Sequence, residues 1–185
     1  MAFNVSDFRA QLAQDGARPN LFDVTMAFPT IFGVAGDASK QLTFTCKTSA
    51  LPGSTLGMVN LQYFGREVKL AGNRTFADWS LTVINDEDFL VRKAFERWMG
   101  GINTHSTNLR LGGATSSFAY TADAIVTQYG KTGNVIKSYK LIGAFPTDLA
   151  QIDLDWGSND TIEEFTVTLA YQFWQTVGEN SPLVV

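Results

Sequence analysis

Apolar residues in this chain recur mostly at every second position. Between Glu164 and Trp174, Phe165, Val167, Leu169, Tyr171 and Phe173 fall on one face, and Thr166, Thr168, Ala170, Gln172 and Trp174 on the other. A period of two over that length predicts a strand with one face buried. Ile152, Leu154 and Trp156 alternate with Asp153 and Asp155, which predicts a partner strand ahead of a polar turn. Thr75–Ile84 alternates too, with Trp79, Leu81 and Val83 against Ser80, Thr82 and Ile84. Further strands are predicted over 20–28, 41–49, 66–70, 118–129 and 135–145, with turns at 71–73 and 130–134 and a break at Pro146-Thr147. The second face of the 164–174 strand carries threonines and a tryptophan rather than lysine and glutamate. Such a sheet is covered on both sides or joins another chain.

One segment changes period. Val91, Phe95, Trp98 and Ile102 form a single apolar stripe at helical spacing. Asn85 is the expected N-cap, Asp86, Glu87 and Asp88 suit the first turn, and Gly100-Gly101 is the expected stop. About eight strands, one helix and no βαβ alternation make the chain mainly β. The expected fold is an antiparallel β-sandwich or split β-barrel with one flanking α-helix. The expected organisation is an N-terminal arm over 1–18, a β domain over 19–175 and a C-terminal tail over 176–185. Pro29–Lys40 reads as a hairpin loop or insertion, and 102–117 as a flexible loop.

Leu51, Leu56, Met58, Val59, Leu61 and Tyr63 lie in a segment broken by Pro52, Gly53 and Gly57. Two readings stand for it. It is a contact site, since apolar surface on that scale marks one, or it folds back over its own core.

Composition narrows the function. A chain of 185 residues fits one domain with a real core, and 45 % hydrophobic content with fourteen Phe is globular. A net charge of −4 argues against a sequence-reading binder of duplex DNA. The single cysteine, Cys46, forms no internal disulfide. No signal-type or membrane-length apolar run is present, so synthesis in the cytosol without an anchor is expected.

His105 stands alone, which excludes a histidine-pair zinc site, and its place in a Gly/Ser/Thr loop makes no credible Ser-His-Asp or Cys-His set. Asp153, Asp155, Asp160, Glu163 and Glu164 lack calcium-loop spacing and read as a solvated or channel-facing edge. The acidic triplet 86–88 is accounted for by helix chemistry. No catalytic residue, metal or cofactor is expected. An enzyme or ligand carrier would need a pocket with convergent polar groups.

Six stretches occur in a telling order: Arg18–Phe22; Phe44–Lys47 with Ala50-Leu51-Pro52; Ala71–Trp79; Val83–Glu87; Leu154–Asn159; and Phe165–Leu169. Together they resemble the major tail tube protein family of contractile-tailed, myovirus-type bacteriophages, across about residues 18–174. The chain departs from that pattern at 29–40, at 103–118 and after Trp174.

The resemblance implies a fold of tail-tube type and homo-hexameric rings stacked into a hollow tube inside a contractile sheath. The implied setting is the virion tail, assembled in host cytoplasm. Implied partners are the tail sheath protein, the tape-measure protein, the baseplate tube initiator, the tail terminator and double-stranded DNA in passage. On this reading Leu51, Leu56, Met58, Val59, Leu61 and Tyr63, with the N-terminal arm, are candidates for contact between rings. Val91, Phe95, Trp98 and Ile102 are core, and Arg92, Glu96 and Arg97 are assigned to face the sheath. Thr, Ser and short acidic residues on the strand faces opposite the helix would line the bore. An acidic wall repels phosphate over about 8 Å at physiological salt, which lets DNA slide. A second reading is the inner tube of a non-viral injection device that carries effector proteins.

Overall fold

The computed structural model describes residues 4–12, 16–33 and 36–178. In chain order they form α1 (Val5–Gln11), β1 (Phe22–Met26), a 3-10 turn (Thr30–Phe32), α2 (Gly36–Thr45), β2 (Cys46–Ser49) and β3 (Thr55–Tyr63). Then come β4 (Arg66–Thr75), β5 (Trp79–Ile84), α3 (Leu90–Ile102), α4 (Ser117–Tyr120), β6 (Ala122–Tyr129), β7 (Val135–Leu149), β8 (Glu164–Ala170) and β9 (Phe173–Val177).

Seven strands make one curled antiparallel sheet in the order β1-β6-β7-β8-β5-β2, with β9 also on β7. One strand, β7, serves both halves of this split barrel. The first part of β7 pairs with β6 and β9, and its last part, from Phe145, pairs with β8. The strand bends between them at Gly143, whose φ of +67° suits glycine. The predicted strand over 164–174 turns the same corner. It breaks at Tyr171-Gln172 into β8 and β9, and Gln172 N–H donates to the Ile142 carbonyl at 3.0 Å. The break shifts the alternation, so Trp174 packs on the core and Phe173, expected on the buried face, is exposed. β9 also runs through the expected boundary at 175/176.

One hydrophobic core joins the sheet to the helices. Val24, Met26, Leu81, Val83, Val126, Leu141, Phe165, Val167 and Leu169 come from the strands. Ala38 and Leu42 come from α2, and Val91, Ala94, Phe95 and Trp98 from α3. Phe28 meets the rings of Phe95 and Trp98 edge-on at 5.0 and 5.8 Å. Trp98 satisfies its indole N–H on the Tyr120 carbonyl at 2.6 Å.

Several expectations are corrected. The helix α2 replaces most of the strand expected over 41–49, so the fold has a second packed helix. Thr43 and Thr45 hydroxyls bond the carbonyls of Ser39 and Gln41, four residues back, which removes their usual conflict with helix. Helix α3 begins at Leu90, not at 86. Asn85 is not its cap, because its side chain donates to the Glu163 carboxylate at 2.9 Å. Phe89, at a φ of +53°, turns the chain into the helix. Gly100-Gly101 does not stop α3 either. Gly101 lies inside it, where an added Cβ would sit 2.2 Å from the Phe32 ring. Pro146 does not break β7, since it sits at a register shift where a ladder donor is dispensable.

The expected strand over 151–156 is loop. Asp155 accepts from Gly157 N–H at 3.1 Å and Ser158 Oγ at 3.3 Å, which curls the chain out of extended geometry. In the arm, α1 is exposed on all sides and Phe3 lies outside the described residues. So do 34–35 of the expected insertion and 179–185 of the tail. Among the described residues no helix is long and apolar enough to cross a membrane.

Candidate assembly surface

β3 and β4 form a separate two-stranded sheet that stands off the body. Their connection is the two-residue turn Phe64-Gly65, with φ of +44° and +81°. Two positive φ values match the right-handed twist of a hairpin. The turn expected at 71–73 is therefore absent, and β4 continues through it. Gly72 is needed there, because an added Cβ would meet the Gly57 backbone at 3.0 Å. Register shifts at this point, between Leu56 and Met58.

The pairing sorts the side chains. Val59↔Leu70, Leu61↔Val68 and Tyr63↔Arg66 share one face, while Met58↔Ala71, Asn60↔Lys69 and Gln62↔Glu67 share the other. So one face is an apolar ladder and the other mixes charge and amide. Val59, Leu61, Tyr63, Val68 and Leu70 are 46 to 66 % exposed, and Phe64 at the tip is 91 % exposed. The six candidates from sequence do not act as one patch. Val59, Leu61 and Tyr63 lie on the ladder, Leu56 and Met58 on the opposite face, and Leu51 outside the hairpin. Val68 and Leu70 were missed, although they alternate with Glu67 and Lys69.

The root of the hairpin is fixed. Trp79 donates its indole N–H to the Ala50 carbonyl at 2.9 Å, and Trp174 donates to Gly53 at 3.1 Å. Two tryptophans on β5 and β9 thus aim the hairpin, and its length projects into solvent.

Around α3, Val91, Phe95 and Trp98 are buried and Ile102 is half-buried against the core. Arg92 is half-buried and engaged within its own subunit. It donates to Glu96 Oε1 at 3.1 Å and the Ala150 carbonyl at 3.2 Å, over the Phe165 ring. Glu96 and Arg97 are exposed, with Arg97 reaching the Gly33 carbonyl at 3.3 Å.

The outward face of β5 and β8 is a hydroxyl ladder. Ser80 and Thr168 lie 3.4 Å apart, as do Thr82 and Thr166. Its edge carries the Lys47–Glu164 ion pair. On the outward face of β6 and β7, Lys140 pairs with Asp123 at 2.8 Å. Burial pushes the Asp123 carboxyl up, but hydrogen bonds from Lys140 and Gly143 N–H outweigh it and leave the group below its usual range. Among the described residues, no three His, Cys, Asp or Glu side chains converge as a metal site would.

The sequence as a whole matches the profile of the phage tail tube protein family over residues 17–177. The chain belongs to that family. Tail tube protein gp19 of Enterobacteria phage T4 is 35 % identical to this tail tube protein over 168 residues, 90 % of this chain and 96 % of gp19. The tail tube protein of Serratia phage KSP90 is 28 % identical over 179 residues, 96 % of this chain and 98 % of the other. The fold of this tail tube protein recurs in solved assemblies. A chain of the six-fold symmetrised anti-feeding prophage baseplate aligns with a TM-score of 0.63 at 19 % identity, covering 88 % of this chain and 96 % of that one. A chain of the PVC sheath–tube complex in the extended state aligns with a TM-score of 0.56 at 14 % identity, covering 95 and 98 %.

Proposed function

We propose that this protein is the subunit of the inner tube of a contractile phage tail, a structural rather than catalytic component. Its copies form stacked hexameric rings within a sheath, and double-stranded DNA passes through the bore. The observation that carries the reading, beyond family membership, is the projecting hairpin. Five half-exposed apolar side chains on one face of a rigid two-stranded arm are costly in water and productive against a second copy.

The assignment of surfaces follows from chemistry. The apolar face of β3–β4 packs on a copy in the adjacent ring. Strands β1, β2 and β9 each have an unpaired side, and strand addition across copies uses such edges within a ring. The hydroxyl face of β5 and β8 lines the bore. That replaces the acidic wall of the sequence reading with a largely uncharged one, whose Lys47 is already held by Glu164. Such a wall offers phosphate no cluster of cations to hold it. Exposed Lys93, Glu96 and Arg97 face the sheath, with Arg92 left to its own subunit. The tape-measure protein, a baseplate initiator and a tail terminator complete the set of partners.

A tube carrying effector proteins is the second reading, favoured only by the fold shared with the PVC extracellular contractile injection system. Negative-stain electron microscopy of purified protein over a concentration series, with and without isolated baseplates, tests the tube. Hollow filaments of constant width are expected. A monomer under every condition would refute the proposal, and the genes beside this one separate phage from injection device.

A further inference from the structure

The β3–β4 hairpin and the loop between β7 and β8 leave the sheet at opposite ends of one ladder. Strands β5 and β8 pair from Trp79↔Leu169 to Ile84↔Glu164. The hairpin is rooted at the first end, where β4 runs on towards Trp79 and the Trp79 indole holds the Ala50 carbonyl. The β7–β8 loop arrives at the other, entering β8 at Glu164. Six residues of ladder span about 20 Å, and the nine residues of β3 carry the hairpin tip about 30 Å from its root. Within one copy the loop and the apolar ladder of the hairpin do not meet. Trp156 is fully exposed, with Leu154 and Ile162 81 and 71 % exposed.

The two surfaces are complementary in charge as well as apolar. Residues 150–163 hold four carboxylates and no lysine or arginine. Residues 55–75 hold three cations and one carboxylate, in a chain whose net charge is −4. Arg66 stands opposite Tyr63, so it shares the face of Leu61 and Val68. Among the described residues, neither the Arg66 guanidinium nor the Asp160 carboxylate bonds another group. The loop is also built in advance. The Asp155 carboxylate holds the turn after Trp156, and Glu163 is tied to Asn85 through backbone and side chain at 2.8 and 2.9 Å. A surface held in place loses little freedom when a partner seats on it.

We propose that the apolar face of one copy's hairpin seats on the Trp156 loop of a second copy. The indole packs against Leu61 and Val68, and the Asp160 carboxylate meets Arg66. The aromatic supplies the anchor, since a tryptophan buried at an interface carries much of its energy. The charge pair sets the register and disfavours a hairpin meeting a hairpin or a loop meeting a loop. Contact between opposite ends of identical chains is heterologous, so it repeats in one direction as a stack of rings requires. The inference rests on the tube reading and deepens it, by naming the surface that receives the hairpin.

Charge exchange tests it. Trp156→Ala, Arg66→Glu, Asp160→Lys and the combination of the last two are compared with wild type for polymer pelleted at increasing concentration. Lys69→Glu, on the opposite face of the hairpin, is the control. All these side chains are exposed in the subunit, and circular dichroism with melting checks that each variant is folded. Trp156→Ala and each single reversal are expected to raise the critical concentration about tenfold or more, a loss of about 1.4 kcal/mol. Combining Arg66→Glu with Asp160→Lys is expected to return it to within about threefold of wild type. Lys69→Glu is expected to leave it within about threefold and not to rescue Asp160→Lys. Wild-type assembly by Trp156→Ala, no recovery in the combined exchange, or equal rescue by Lys69→Glu overturns the contact. Tubes of wild-type protein then leave the tube reading standing, and impaired assembly of Leu61→Asp would keep the hairpin as an interface with a different receiver. If wild type makes no polymer with or without baseplates, the tube reading falls and this contact with it.

Discussion

Leu61→Asp, set beside Asn60→Asp, isolates the apolar face of the hairpin. The two positions are neighbours on β3 and point to opposite faces. Leu61 is 51 % exposed in the free subunit. Burying the remaining half of a leucine is worth about 1 kcal/mol, and enclosing an unpaired carboxylate in its place costs about 2 kcal/mol more. The sum of about 3 kcal/mol corresponds to a rise of roughly a hundredfold in the concentration needed for assembly. Asn60→Asp adds the same charge on the polar face, beside Lys69, and should change that concentration by less than about threefold. Pelleting with electron microscopy of the pellet reads both, and circular dichroism establishes that the free subunits are folded. Assembly of Leu61→Asp at the wild-type concentration would refute the reasoning. So would equal damage from Asn60→Asp, which would show that charge on the hairpin matters and its apolar face does not. The pair Met58→Asp with Leu61→Asp lacks this resolution, because it alters both faces at once.

Three further outcomes follow from the monomer. Gly101→Ala gains about 1 kcal/mol of helix propensity, but its methyl collides with the Phe32 ring. A net loss near 1 kcal/mol and a melting temperature lower by about 2–4 °C are expected by calorimetry. Burial raises the Cys46 thiol to about 12, so native protein should resist iodoacetamide at neutral pH and react once unfolded, as mass spectrometry will read. The Asp123 carboxyl is depressed in the folded state, so its contribution is complete above about pH 4 and is lost as pH falls through the folded value. The gap in melting temperature between wild type and Asp123→Asn should therefore be present at pH 7 and close towards about pH 2.

The function was legible because family residues are spread along the chain, and the assembly surface was legible only in outline. Apolar residues in a Gly- and Pro-broken segment pointed to a contact, but not to a hairpin. Pairing partners fix which side chains share a face, and Val68 and Leu70 gain their meaning from Leu61 and Val59 across the ladder. Trp156 was expected on a strand face. The alternation around it is genuine, yet one Asp155 carboxylate capturing two nearby donors was enough to make a loop and leave the indole in water.

The sequence by itself determined the β class, the strands β1, β5, β6 and β8, the turn at 130–134 and the buried stripe of α3. Those elements have long, clean periods that match the burial they reach, and local pattern and tertiary packing agree there. Tertiary structure decided the rest. Leu42, Phe44 and Cys46 alternate as a strand would, but Ala38 and Leu42, four residues apart, found the core and drew 36–45 into a helix. β7 and the β8–β9 segment each serve both halves of the barrel, and only the bend at Gly143 and the break at Tyr171-Gln172 change which face is inside. Local preferences of a few tenths of a kcal/mol per residue yield to packing worth several times more, so the outcome at such places depends on partners distant in the chain.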